Sequence, residues 1–253
     1  MRGKTLYADT DYFRAFPDSK DVFAKRVRSH AAVLLPVGTL SLRHLSPGWE
    51  SHIHFILPIE PCGGCGVAGD GANEFCNYLC RPNWVGYRLV GDRCELACDF
   101  RFFRKALYED RAARTDAERA EADDPEQHYR RTHSEFDRRA AFYREHGWLC
   151  QWPDEWTGKK KDVRSLRVAL VRDLGGDSWH GNWSNSGDFP ISRYPAKQDG
   201  YNTFKVYPRT EDGRDYRFVG SVEMWNFLGY TNGSLLLFYD PQERVALSTV
   251  DWS

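Results

Sequence analysis

Six of the seven cysteines crowd one stretch of this chain. Cys62-Gly63-Gly64-Cys65-Gly66 is followed by Cys76-Asn77-Tyr78-Leu79-Cys80, then by Cys94-Glu95-Leu96-Ala97-Cys98. Thiolates bind Zn²⁺ tetrahedrally, and a C-x-x-C turn followed by glycine lets two sulfurs and nearby amides converge on one ion. The spacing predicts one structural zinc held by Cys62, Cys65, Cys76 and Cys80. C-x-x-x-C is a less usual second half, so Cys94 and Cys98 compete for the role. His52 and His54, two apart on an expected strand, are further alternatives. The same thiols also serve proteins as small buried hydrophobes. A redox role is disfavoured, because Cys62 sits in a Gly/Pro loop where no helix begins to lower its pKa.

A second concentration of chemistry lies at Gly175-Gly176-Asp177-Ser178-Trp179-His180-Gly181-Asn182-Trp183-Ser184-Asn185-Ser186-Gly187-Asp188. Asp177, His180 and Asp188 are candidates for an acid/base set, and Trp179 and Trp183 for stacking on a sugar or base. The alternative is an ordered loop whose tryptophans plug the domain. No G-x-G-x-x-G, Walker or G-x-S-x-G pattern accompanies it.

The elements that must position these groups read as an α+β fold. Tyr216 to Met224 alternates as a strand with one buried face requires. Thr231-Asn232-Gly233 supplies a turn, Leu235 to Tyr239 a strand covered on both sides, and Arg244 to Trp252 one more strand. Earlier, Asp18 to His30 predicts a helix, and Ala31 to Val37 a buried strand ended by Pro36 and Gly38, with Leu40 to Leu45 as its partner. Ser51 to Ile59 predicts a strand that turns His52 and His54 away from Ile53, Phe55 and Leu57. Trp84 to Val90, Arg164 to Leu174 and Thr203 to Tyr207 complete the expected strands. Trp148 to Trp156 reads as a surface linker or wedge.

Asp99 to Ala122 predicts a helix broken at Asp123-Asp124-Pro125. Asp124 then caps a second helix that runs to His146 with Gly147 as its stop. Its seam is Tyr129, His133, Phe136, Ala140 and Tyr143. The pair forms an antiparallel helical hairpin inserted into a mainly antiparallel sheet. That divides the chain into an N-terminal β-rich part with Cys-rich loops (1–98), the hairpin (99–147) and a C-terminal β-rich part (148–253), the two β-rich parts packing as one unit. The hairpin's outer face, carrying Arg130, Glu135, Arg138 and Arg139, is the expected partner-binding surface.

Net charge is −1 with 28% charged residues, so no global field favours nucleic acid or an anionic membrane. No stretch approaches the ~20 apolar residues of a membrane span. The N-terminus meets acid before any long apolar run and does not read as a signal peptide. An odd cysteine count disfavours a complete set of disulfides and fits the reducing cytosol.

From about Val163 onward the chain resembles the YwqG-like family of uncharacterised bacterial proteins. The matching residues are Leu174-Gly175-Gly176 with Trp179, then Phe218-Val219-Gly220-Ser221-Val222, then Gly233-Ser234-Leu235-Leu236-Leu237-Phe238-Tyr239-Asp240. The resemblance implies a β-rich fold and supplies no catalytic residues. The expected function is a non-catalytic cytosolic binding protein, of the immunity type that neutralises a toxin by occupying its surface. The alternatives are a small-ligand binder or hydrolase using the 175–188 loop, and a zinc-stabilised structural adaptor.

Overall fold

The computed structural model of the chain describes residues 3–60, 66–105, 116–186 and 188–252. Twelve strands follow one another: β1 (Lys4–Leu6), β2 (Phe13–Ala15), β3 (Leu34–Ser41), β4 (His52–Pro58), β5 (Trp84–Val90), β6 (Arg93–Leu96), β7 (Val171–Leu174), β8 (Ile191–Gln198), β9 (Tyr201–Pro208), β10 (Arg217–Glu223), β11 (Ser234–Asp240) and β12 (Val245–Asp251). Between them lie helices α1 (Ser19–Val22), α2 (Val27–Ala31), α3 (Asp116–His146), α4 (Lys160–Leu166) and α5 (Met224–Leu228). Seven strands form one sheet in the order β1-β7-β10-β11-β12-β5-β6, β2-β3-β4 form a second, and β8-β9 stand as a third. Their ladders are antiparallel, which makes the fold α+β. One core runs through all of it, from Leu6 to Val250, and draws on both β-rich parts and on α3.

The strands around β11 form where the apolar pattern predicts them. β10 differs in one respect: Phe218 to Val222 are buried without interruption. It lies inside the large sheet, and Phe55 of β4 comes close over Gly220, so both of its faces are covered. Between β10 and the turn, α5 intervenes and ends at Gly229 in the left-handed region, φ 76. β3 does not stop at Pro36 and Gly38. It passes through both, with a register shift between them, and runs to Ser41 against β4. A Cβ at Gly38 would sit 2.6 Å from the Phe13 ring, so the bulge lets β2 approach closely. The expected helix over 18–30 is two short ones, α1 and α2.

The break expected between the two helices is corrected, while residues 106–115 of the first one lie outside the described residues. Residues 100–102 form a 3₁₀ turn, and α3 runs unbroken through Asp123-Asp124-Pro125. Pro125 lacks the N–H that would bond the carbonyl four residues back, yet one missing bond does not stop a helix whose later seam is so well buried. Tyr129, Phe136, Ala140 and Tyr143 are all buried, while His133 is half-buried. Phe16 touches the rings of Phe136, Tyr143 and Phe227, which ties α3 to the β2 region and to α5. Arg164 to Leu166 belong to α4, so only Val171–Leu174 of that predicted strand is extended. The stretch from Trp148 is no bare linker: Trp148, Cys150 and Leu166 form a small second core with Phe142, Trp156 and Val163.

Just after β4, Glu60 is buried at 1% exposure. Its Oε1 accepts hydrogen bonds from the Tyr129 hydroxyl and from the Arg104 amide at 2.6 Å, and its Oε2 has no partner among the described residues. Burial pushes this carboxyl up to about 7 against the opposing pull of Tyr129 and Arg104. The folded chain therefore holds a proton that the unfolded chain releases near 4.5. The stabilisation is full below that pH and is lost as pH rises toward 7, by roughly 3 kcal/mol. Glu60→Gln removes this titration. Melting curves at pH 5 and pH 8 should show the wild type losing roughly that much stability relative to the variant.

Candidate functional site

The 175–188 loop is built onto the end of the large sheet. Gly181 permits the approach, since a Cβ there would lie 2.4 Å from the Asp251 carboxylate. That carboxylate accepts the Trp183 amide at 3.1 Å, holding a 3₁₀ turn over Asn182–Asn185. Trp183 is 1% exposed, against the rings of Trp84 and Phe238, and its Nε1 donates to the Trp179 carbonyl. Trp84 returns a bond from its own Nε1 to the Ser186 carbonyl, and Asn83 bonds the Ser186 hydroxyl. Trp183 is thus a plug, as the alternative reading of the loop anticipates.

The expected acid/base residues, Asp177, His180 and Asp188, differ in burial and contacts. Asp177 pairs with Lys205 at 2.9 Å and accepts from the Tyr207 hydroxyl at 3.1 Å. Burial raises this carboxyl, but the hydrogen bonds it accepts outweigh that and hold it below the usual range. Lys205 also lies over the half-buried Trp179 ring. His180 is exposed and bonds through its amide to the Phe204 carbonyl. Asp188 is exposed with φ 49, and its carbonyl receives Arg81. Asp177 and His180 both contact the strand that carries Phe204 and Lys205, whereas Asp188 meets Arg81. Asp177 does border a cleft of about 330 Å³ with Trp49 and Tyr207, but its charge is already matched by Lys205.

What the loop positions is the β8–β9 hairpin. Ser178 and His180 bond the edge of β9 at Val206 and Phe204, Asp177 holds Lys205 and Tyr207, and Asp215 takes the hydroxyls of Ser192 and Tyr194, both at 2.6 Å. Beyond this base, among the described residues, the two strands form a ladder only with each other, out to Gln198 opposite Tyr201. Asp199 and Gly200, with φ 49 and 89, make the two-residue turn. The apolar pattern predicts one strand here, Thr203 to Tyr207. Pro195 lies within β8, where an edge strand tolerates it. Of the six large apolar side chains exposed among the described residues, Tyr194, Tyr201 and Phe204 belong to this hairpin, and Tyr201 is 80% exposed. The register puts Tyr194 and Tyr201 on one face and Phe204 on the other.

The expected partner-binding face of α3 is partly corrected. Arg130 is exposed, and the half-buried Arg138 bonds Glu135 at 2.8 Å and also Asp154. Arg139 is 1% exposed and points inward, giving its guanidinium to the carbonyls of Cys150 and Gln151. It passes Gly229, where a Cβ would lie 2.1 Å from its Nη2. Burial lowers its pKa, and it cannot serve a partner.

Cys62 and Cys65 lie outside the described residues. Asn77 folds the Cys76–Cys80 turn by accepting the amides of Leu79 and Cys80 and donating to the Ala97 carbonyl at 2.8 Å, which brings Cys98 alongside. The neighbouring Cys80 thiol, together with burial, pushes the Cys98 thiol far up. Cys94 is buried separately, and burial pushes it up as well. Among the described residues no group of three or more His, Cys, Asp or Glu side chains is arranged to hold a metal ion.

His52 and His54 share the polar face of the β2-β3-β4 sheet, as the alternation predicts, and both line a cleft of about 580 Å³. Thr39, Ser41, Arg14 and Asp92 line it with them. Both ring nitrogens of His54 are engaged, Nδ1 with the Thr39 hydroxyl and Nε2 with the Asp92 carbonyl. The sequence alone does not align Thr39 with His54, because that needs the cross-strand register.

Comparisons with models of known families, with curated proteins and with solved structures found no match. Among the described residues no helix is long and apolar enough to cross a membrane. The plug makes a direct prediction. Trp183→Ala should cost about 3–5 kcal/mol, near 10 °C in melting temperature for a chain of this size. His180→Ala and Asp188→Ala should each stay within about 2 °C, as exposed side chains do.

Proposed function

We propose that this chain is a protein-binding protein that works by occupying a partner's surface, in the manner of an immunity protein on its toxin. The observation that carries the reading is the β8–β9 hairpin, which holds half of the large apolar side chains exposed among the described residues. Aromatic side chains dominate contact energetics because they offer large rigid area at low entropic cost. A hairpin anchored at its base and uncovered toward its tip presents them on two faces. The 175–188 loop supports this role as the anchor, since Asp177 and the backbone at Ser178 and His180 hold the hairpin and Asp251 holds the Trp183 amide. The exposed Arg130 edge of α3 is a secondary surface.

Tyr201→Ser with Phe204→Ser tests the reading, because neither side chain contributes to the buried core. Melting temperature should stay within a few degrees. A contact aromatic is worth about 2 kcal/mol, so affinity for the partner recovered with the wild-type chain from the source cell should fall at least about 30-fold. If the variant binds that partner with wild-type affinity, the hairpin is not the binding surface.

A further inference from the structure

The cleft on the polar face of β2-β3-β4 stands apart from the hairpin and holds an arrangement the binding role does not use. Thr39 and His54 are direct cross-strand partners, with the Thr39 Oγ1 2.9 Å from His54 Nδ1. His54 Nε2 lies 2.8 Å from the Asp92 carbonyl oxygen. A carbonyl oxygen only accepts, so Nε2 carries the proton and Nδ1 offers its lone pair to the Thr39 hydroxyl. The imidazole is 4% exposed and locked by both contacts, so its lone pair is aimed at one hydroxyl. Thr39 itself is half-buried and lines the cleft of about 580 Å³.

Other groups complete the surroundings. Arg14 is directly opposite Thr39 in the β2–β3 register and lines the same cleft, so it can meet negative charge developing beside the hydroxyl. The Asp92 carboxylate accepts the His52 amide and the Ser51 hydroxyl, both at 3.2 Å, and lies 3.4 Å from His52 Nδ1. Those bonds fix the turn whose carbonyl orients His54. Nucleophile, base and orienting group therefore occupy the relation that activates an oxygen nucleophile.

We propose that Thr39 is an acyl-accepting nucleophile with His54 as its base, and that the cleft hydrolyses small esters with good leaving groups. Thr39 Oγ1 attacks the ester carbonyl carbon, and its proton passes to His54 Nδ1. The bond from carbonyl carbon to leaving oxygen breaks, and that oxygen departs with the proton from His54. Water then attacks the threonyl ester, losing its proton to His54, which returns it to Thr39 Oγ1 as the carboxylic acid leaves. The sum is ester plus water giving acid plus alcohol. The restriction to good leaving groups follows from burial, which pulls His54 down to about 4 and makes it a weak base. The polar lining favours short acyl groups over long chains.

The probe is p-nitrophenyl acetate, with the full chain and its Thr39→Val and Thr39→Ser variants. The wild type should show acetyl on the peptide containing Thr39 after rapid acid quench. Thr39→Val keeps the side-chain shape and should lose about 100-fold or more in turnover while still folding, with a melting temperature lowered by the unpaired His54 Nδ1. Thr39→Ser should retain turnover within about tenfold, because it keeps the hydroxyl beside His54. Equal turnover in wild type and Thr39→Val overturns the proposal, as does acetylation confined to other residues. If Thr39→Val does not fold, the acetyl map of the wild type and the turnover of Thr39→Ser decide alone.

Discussion

The seating of Trp183 at the end of the large sheet is the contact on which the outward-facing half of the molecule depends. Its ring fills the space between Trp84 and Phe238, on β5 and β11, while its amide is held by Asp251 at the end of β12. With the ring fixed there, the backbone at Ser178 and His180 lies along β9, and Asp177 meets Lys205 and Tyr207. A two-stranded hairpin is marginal alone in water. Here its base borrows rigidity from the sheet.

The inward-facing half rests on a different balance. α3 delivers a strip of aromatic rings onto Phe16 and α5, and the same helix face carries Arg139 into the interior. An interior cation is tolerated because two carbonyls receive it and because Gly229 leaves room for its guanidinium. At the other end of the seam, Tyr129 reaches Glu60, whose buried carboxyl keeps a proton near neutral pH. These polar contacts lock the helix in one register while costing stability that the apolar strip offsets.

Much of the fold was legible, and for identifiable reasons. β4 and β10 to β12 carry apolar patterns that survive any context, and Tyr129, Phe136, Ala140 and Tyr143 mark a helix face by spacing alone. The same spacing places Arg139 three residues after Phe136 and four before Tyr143, so its inward position was readable had charge not been taken as a sign of exposure. The hairpin was harder. Gln198-Asp199-Gly200-Tyr201 carries a strong turn signal, but β8 is exposed along most of its length and so shows no apolar period, and Pro195 argues locally against a strand. The pairing of Thr39 with His54 lies beyond local reading altogether, because it depends on a register that shifts between Pro36 and Gly38.

The central claim is that the aromatic side chains Tyr194, Tyr201 and Phe204 stand exposed on a hairpin held at its base. Native-state hydrogen exchange on the free protein tests it most directly. Amides from Ala196 to Thr203 should exchange through local opening, much faster than those of Val206 and of the β11–β12 ladder, which should approach the global stability. Protection that extends undiminished to the tip would contradict the account, because it would mean that the aromatic faces are already covered before any partner arrives.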